Sequence, residues 1–300
     1  MYRSFQQKIN IKLDDIVSYT RVPYSVFNDK GYLLCREGEP ITTRLIGELS
    51  SCRLYRFAFA DEINKASNVV SKISRETSNR LLRITKQFLD ATINSNKPPI
   101  EAVYLAKDLI YKETMDKMLN IEHLGEMRIN YNEYYLSHAI NVALLSTAIA
   151  LKMGYKADAL NDLTLGALLH DIGMTRIQKD VVDKPAKLSP KEFNKIKRHP
   201  EIGYEIIKNE YFMNDKIALI ALQHHERFNG TGYPNGLSGN ETNFFAQIVS
   251  LADVYDAASS NKPYASAKAP TIIGKELVKI SKSFNQDILS TLLYLIGYKE

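Results

Sequence analysis

From Pro99 onward the apolar residues of this 300-residue chain recur at helical spacing. Val103, Leu105, Leu109, Ile110, Met115 and Met118 mark one stretch. Others follow over 136–153, 160–169, 193–196, 206–207, 217–222, 244–257 and 272–295. A repeat near 3.6 residues with few strictly alternating segments predicts that the last 200 residues or so form an all-helical bundle. Ser189-Pro190-Lys191-Glu192 predicts one helix start in detail, with Ser as cap, Pro at the first helical position and Glu closing a capping box.

Residues 1–60 follow a different pattern. Ser25-Val26-Phe27 and Tyr32-Leu33-Leu34-Cys35 are two apolar runs around Asn28-Asp29-Lys30-Gly31, which predicts a hairpin. A short helix from Thr42 to about Leu49 and a strand near Arg53–Phe59 complete a small accessory α/β module without a histidine. Residues 61–99 read as a helical linker, broken by Asn94-Ser95-Asn96-Lys97-Pro98-Pro99. The predicted fold class is therefore mainly α: a helical domain over 100–300 behind a small α/β module. No internal repeat or low-complexity segment interrupts it.

Composition narrows the setting. A hydrophobic fraction of 45% and a charged fraction of 24% are those of an ordinary globular chain. No apolar run approaches the ~20 residues of a membrane span, and the N-terminus turns polar too soon for a secretory signal. Cys35 and Cys52 supply neither a disulfide framework nor a CxxC zinc pair, so both read as reduced thiols and the expected location is cytoplasmic. The net charge of +5 is spread along the chain without an arginine-rich tract. That suits a small anionic ligand and argues against a DNA or RNA polymer as partner.

Candidate chemistry is concentrated between residues 138 and 225, where five of the six histidines fall: His138, His170, His199, His224 and His225. Imidazole and carboxylate hold Fe, Mn or Zn, and a carboxylate can bridge two ions. His138 lies mid-helix, where a lone histidine is more often a core residue than a ligand. His170-Asp171-Ile172-Gly173 ends an apolar helix, and a glycine turn would let both polar side chains reach one site. His199 before Pro200 fits either a helix cap or a ligand. His224-His225 leads into a loop with two glycines, Tyr233 and Pro234. Asp253 on an apolar helix needs a partner because an unpaired buried carboxylate is costly, whereas Asp256 fits a structural hydrogen bond equally well.

The order His138, His170-Asp171, Asp253 resembles the HD phosphohydrolase superfamily. The strings HDIG (170–173), DKPAKLS (183–189), HPEIGY (199–204), HHERFNGTGYP (224–234) and ADVYDA (252–257) resemble its HD-GYP subfamily. The N-terminal module is also similar to a small domain often found ahead of HD-GYP domains. The resemblance implies a metal-dependent phosphodiesterase that hydrolyses cyclic di-GMP at two divalent ions, Fe or Mn. It assigns His138, His170, Asp171 and Asp253 to one metal and His199, His224 and His225 to the second. Asp171 bridges the two and is the residue on which catalysis turns. The loop of Gly232, Tyr233 and Pro234 would bind substrate, with Tyr233 beside a base, and Lys262 would contact it after the ADVYDA motif. Homodimerisation and signalling-protein partners stay open.

Departures from that pattern shape the expectation. Met174 stands where family members usually carry a phosphate-binding Lys. Lys262 replaces an Arg, Ala265 removes a second cation, and Tyr134 occupies the place of a Glu found in members that bind three metals. Two metals are expected, with a phosphate grip weakened by about 1.5–3 kcal/mol for each charged hydrogen bond lost. Arg176 and Lys179 are candidates to compensate. The alternatives are an HD hydrolase acting on a different nucleotide and a catalytically weak cyclic-dinucleotide sensor or docking module.

Overall fold

In the computed structural model two units with separate cores make up the chain, Met1–Val70 and Ser71–Glu300. The structure describes residues 5–11, 13–17, 20, 22, 26–27, 33–35, 40–50, 53–59, 73–94, 99–118, 134–182, 184, 188–260 and 268–298.

The first unit is a four-stranded antiparallel sheet in the order β1-β4-β2-β3, formed by β1 (Phe5–Ile11), β2 (Val26–Phe27), β3 (Leu33–Cys35) and β4 (Leu54–Phe59). Two short helices, α1 (Asp14–Val17) and α2 (Thr43–Ser50), accompany it. Its core contains Ile16, Val22, Val26, Cys35, Leu49 and Leu54. The hairpin strands, the helix and the last strand fall where the sequence predicts them, while the hairpin's turn residues lie outside the described set. Strand β1 was not foreseen. Its sequence Phe-Gln-Gln-Lys-Ile-Asn-Ile has no clean alternation at its start, and its partner β4 lies more than 40 residues away.

Helices build the second unit. The sequence within 61–99 that reads as a linker contains α3 (Arg75–Ile93), capped by Ser74, whose hydroxyl accepts from the Thr77 amide at 3.0 Å. Leu81, Leu82, Ile84 and Phe88 of α3 belong to the core of this unit, because its 3–4-residue spacing buries one face against its neighbours. Then come α4 (Ile100–Met118) and α5 (Tyr134–Lys152). Every residue of α5 from Leu136 to Ala150 is buried, as expected for a helix at the centre of a bundle. Gly154 turns the chain at φ 90°, a left-handed conformation that favours glycine, into α6 (Ala157–Leu169).

A 3₁₀ turn (Ile172–Arg176) and α7 (Lys179–Val182) lead to α8 (Pro190–Ile196), where Ser189 and Glu192 form the predicted capping box. After these come α9 (His199–Asn209), α10 (Asp215–Gln223) and α11 (Phe244–Ser259). The apolar stretch over 272–295, read as one segment, forms two helices, α12 (Pro270–Lys279) and α13 (Gln286–Leu295). The break has a local cause. The Asn285 side chain accepts from the amides of Asp287 and Ile288 and so starts a new helix.

Candidate metal centre

Helices α5, α9 and α11, with the turns after α6 and α10, carry all seven sequence-predicted ligand residues. Asp171 stands between two sets of imidazoles. Its Oδ1 lies 3.1 Å from His199 Nε2 and 3.6 Å from His224 Nε2. Its Oδ2 lies 3.5 Å from His170 Nε2 and 3.7 Å from His138 Nε2. Ligand-type atoms of His138, His170 and Asp171 fall within 4.8 Å of one another, as do those of Asp171, His199, His224 and His225. Asp253 joins from α11, with Oδ1 3.3 Å from His138 Nε2 and Oδ2 3.9 Å from His225 Nδ1.

The hydrogen bonds of the imidazoles fix which nitrogen faces inward. Nδ1 of His170, His199 and His224 donates to the carbonyls of Ala167, Ile196 and Ala221 at 2.7–2.8 Å. A carbonyl only accepts, so each Nδ1 carries the proton and each Nε2 of a neutral ring presents a lone pair to the site. All three residues directly follow or closely succeed a helix end, and each uses one of the carbonyls that a helix leaves unpaired there. His138 is mid-helix and lacks such a carbonyl. Its Nδ1 instead meets Oδ2 of the fully buried Asp256 at 2.8 Å.

This donor set fits divalent cations. His170 Nε2 is buried without a hydrogen-bond partner. His199 Nε2 and His224 Nε2 approach to 3.2 Å, close enough for one cation to accept from both nitrogens. Burial pushes the Asp171 carboxyl up, but the neighbouring imidazoles of His170, His199 and His224 outweigh this and hold it well below the carboxylate range. Burial lowers His138, yet Asp253 and Asp256 outweigh burial and raise it to about 10. Burial takes His170 down to about 4 against the pull of Asp171. The cluster therefore holds ionised carboxylates that demand positive charge, among imidazoles of which some stay neutral. Metal ions meet both conditions.

Two glycines permit this geometry by their size. A Cβ on Gly173 would lie 2.0 Å from the His199 carbonyl oxygen and 2.6 Å from the Gly203 nitrogen. Gly173 therefore lets α9 approach the HDIG turn. The left-handed turn that would let both polar side chains reach one site is not used, since its φ is not positive. A Cβ on Gly232 would meet the backbone of Glu226, Arg227 and His225 at 2.4–2.5 Å. The loop folds back there, with the Tyr233 amide donating to the His225 carbonyl at 3.2 Å and a cis bond joining Tyr233 to Pro234. The Tyr233 ring stacks on His225 with centroids 4.6 Å apart, and Lys197 Nζ lies 4.9 Å from the Tyr233 centroid. Lys262 and Ala265 lie outside the described residues.

The HD domain family matches residues 113–285, more than half of the chain. The chain belongs to the HD domain family. Among characterised relatives it is 42% identical over 120 residues to the cyclic di-GMP phosphodiesterase response regulator RpfG of Xanthomonas campestris pv. campestris, covering 40% of this chain and 32% of that protein. It is 30% identical over 230 residues to a cyclic di-GMP phosphodiesterase of Thermotoga maritima, covering 75% of this chain and 61% of the relative. The chain thus matches about a third of the first and three-fifths of the second. Among solved structures, Bd1817, an HD-GYP-like protein from Bdellovibrio bacteriovorus, superposes with a TM-score of 0.57 at 21% identity, over 95% of this chain and 98% of that one, and shares the fold.

Three further residues of this HD domain act on the site, of which Glu226 and Arg227 were not singled out from the sequence. Asp256 orients His138, as one of its two readings allowed. Glu226, also buried, accepts from the amides of Asn235 at 2.7 Å and Leu237 at 3.0 Å and so pins the loop after His225. Arg227 donates to the carbonyls of His224 and Glu226 and to the Ser250 hydroxyl. A buried carboxylate beside two histidines gives no sign in the sequence that its partners are backbone amides 9 and 11 residues away. Arg176 does not supply the missing cation. It pairs with both Glu210 oxygens at 2.9–3.0 Å and donates to the Thr92 carbonyl. Lys179 lines a cavity that Asp171 and Met174 also line. Among the described residues no helix is long and apolar enough to cross a membrane.

Proposed function

We propose that this chain is a metal-dependent phosphodiesterase that opens cyclic di-GMP, to the linear dinucleotide or on to GMP. One observation carries the reading: the two oxygens of Asp171 face different histidine sets. That arrangement supports a carboxylate bridging two divalent ions, Fe or Mn. His138, His170, Asp171 and Asp253 would hold one, and Asp171, His199, His224 and His225 the other. When bound, such ions act as Lewis acids toward phosphate oxygens and make a water nucleophilic at neutral pH.

The chain's own residues do the rest. Backbone carbonyls and Asp256 aim the imidazoles, and Glu226 fixes the loop that brings Tyr233 against His225. Tyr233, with Gly232 and Pro234 shaping its loop, offers an aromatic face beside the site, and Lys262 is assigned a phosphate contact. The relatives named as cyclic di-GMP phosphodiesterases support the substrate class. Residues 1–60 serve as an accessory module. Met174 favours a second reading, an HD hydrolase for another nucleotide, because a thioether on the cavity wall beside Asp171 gives a phosphate no charge to pair with.

Metal analysis of anaerobically purified protein, with turnover assays on cyclic di-GMP, cyclic di-AMP and the mixed dinucleotide, tests these readings. Two Fe or Mn per chain with preferential turnover of cyclic di-GMP is the expected result. Bound metal without turnover of any cyclic dinucleotide would overturn it in favour of a sensor.

A further inference from the structure

A cavity of about 690 Å³ lies beside Asp171, within the ~300–1,000 Å³ typical of small-molecule sites. One wall is the face of α3 that carries Lys86 and Asp90, ahead of residue 113 where the HD domain match begins. This wall is therefore a feature of the chain outside the matched domain. Asp90 and Asp171 are the carboxylates on the cavity's described walls. Lys86 Nζ sits 3.7 Å from Asp90 Oδ2, and both side chains are about half exposed, at 50% and 52%. An exposed pair one helical turn apart adds little to stability, so a ligand that displaces water can compete for both groups.

Their chemistry selects among bases. A carboxylate only accepts and an ammonium only donates. The pairing edge of guanine presents two adjacent N–H donors and, next to them, a carbonyl acceptor. Asp90 can take both donors while Lys86 gives to the carbonyl. Adenine presents one amino donor beside a ring-nitrogen acceptor, which leaves one oxygen of Asp90 unmatched. Tyr135 and Met174 line the same cavity and offer flat and polarisable surfaces suited to a base.

We propose that this cavity is a guanine subsite, in which Asp90 and Lys86 read the base edge while the attached phosphate reaches the centre at Asp171; the choice of a guanine nucleotide as ligand rests on the function proposed above. The test uses the full chain and two variants, Asp90→Asn and Lys86→Gln. Calorimetry measures binding of GMP and AMP, and kinetics measures KM for cyclic di-GMP and cyclic di-AMP, with metal content and melting temperature as controls.

The parent should bind GMP at least about ten-fold tighter than AMP. Asp90→Asn should weaken GMP binding, and raise KM for cyclic di-GMP, on the order of ten- to hundred-fold, with a change of no more than about three-fold for the adenine ligands. Lys86→Gln should act in the same direction by a smaller factor, and it decides the matter if Asp90→Asn melts early. Equal binding of GMP and AMP by the parent, or equal losses for both bases in the variants, overturns the subsite. Loss of the GMP preference in Asp90→Asn, with no cyclic dinucleotide turned over by the parent, would sink the phosphodiesterase and leave the subsite standing. Turnover of cyclic di-GMP that is unaffected by either substitution would do the reverse.

Discussion

The two flanks of Asp171 are oriented by different means. On one side His199 and His224 each donate to a carbonyl three residues back, at a helix end, and His225 is stacked on Tyr233. On the other side His170 uses the same local device, but His138 depends on Asp256, 118 residues away. The first flank is thus set by local chain geometry and, among the described residues, holds no carboxylate besides Asp171 and the more distant Asp253. The second is set by a tertiary contact between α5 and α11 and gathers Asp171, Asp253 and Asp256 around His138. Imidazole orientation is robust where a free helix-end carbonyl supplies it and conditional where a distant carboxylate does.

Asp171→Ala should have the largest effect, since it removes the group that both flanks share. Metal content should fall for both ions, and turnover should drop below about a tenth of the parent, a loss above roughly 1.4 kcal/mol. Elemental analysis beside an assay checks this. Two ions retained at near-parent activity would mean the flanks are independent sites.

Asp256→Asn separates the flanks. An amide in place of the carboxylate weakens the hold on His138, and outer-shell losses of this kind reduce metal affinity about 10–100-fold. One ion should be lost on mild chelation while the ion on the His199 and His224 side stays. Equal loss of both would erase the distinction drawn between a local and a tertiary flank.

Glu226→Gln probes the loop beside the locally set flank. The buried carboxylate accepts from two backbone amides, and the substituted amide can accept well from one and must set its own N–H₂ against the other. The expected destabilisation is about 1.5–3 kcal/mol, read as a lower melting temperature with metal content unchanged. A fall in metal content at an unchanged melting temperature would place Glu226 in the metal site itself.

Met174→Lys should have the smallest effect, and in the opposite direction. It adds an ammonium to the cavity wall next to Asp171. A gain of about ten-fold in kcat/KM for cyclic di-GMP at low salt, shrinking as salt rises, is the expected outcome. A variant as stable as the parent but no better on any cyclic dinucleotide would rule out a weakened phosphate grip.

Much of this molecule is legible in its sequence, for reasons that act over short range. The 3.6-residue repeat of apolar positions marks the helices of the second unit, and Ser189 with Glu192 marks a helix start that forms as read. Histidines at helix ends announce both their presence and their orientation, because the carbonyls they use belong to the preceding turn. Asp171 stands out as the carboxylate adjacent to one of them.

Contacts between elements distant in sequence decided the remainder. Strand β1 took its place through β4. The polar-looking helix α3 became part of a core and a cavity wall through the face it presents to its neighbours. Gly173 is needed because the His199 backbone passes through the space a Cβ would fill. Arg176 is drawn away from the site by Glu210 and Thr92. Asp256, the more conventional hydrogen-bonder of the ADVYDA string by sequence, became the partner of His138 because α11 packs against α5. Periodicity and capping depend on neighbours within about four residues, which any sequence displays. Pairing between buried polar groups depends on which helix faces meet, and only the packed structure fixes that.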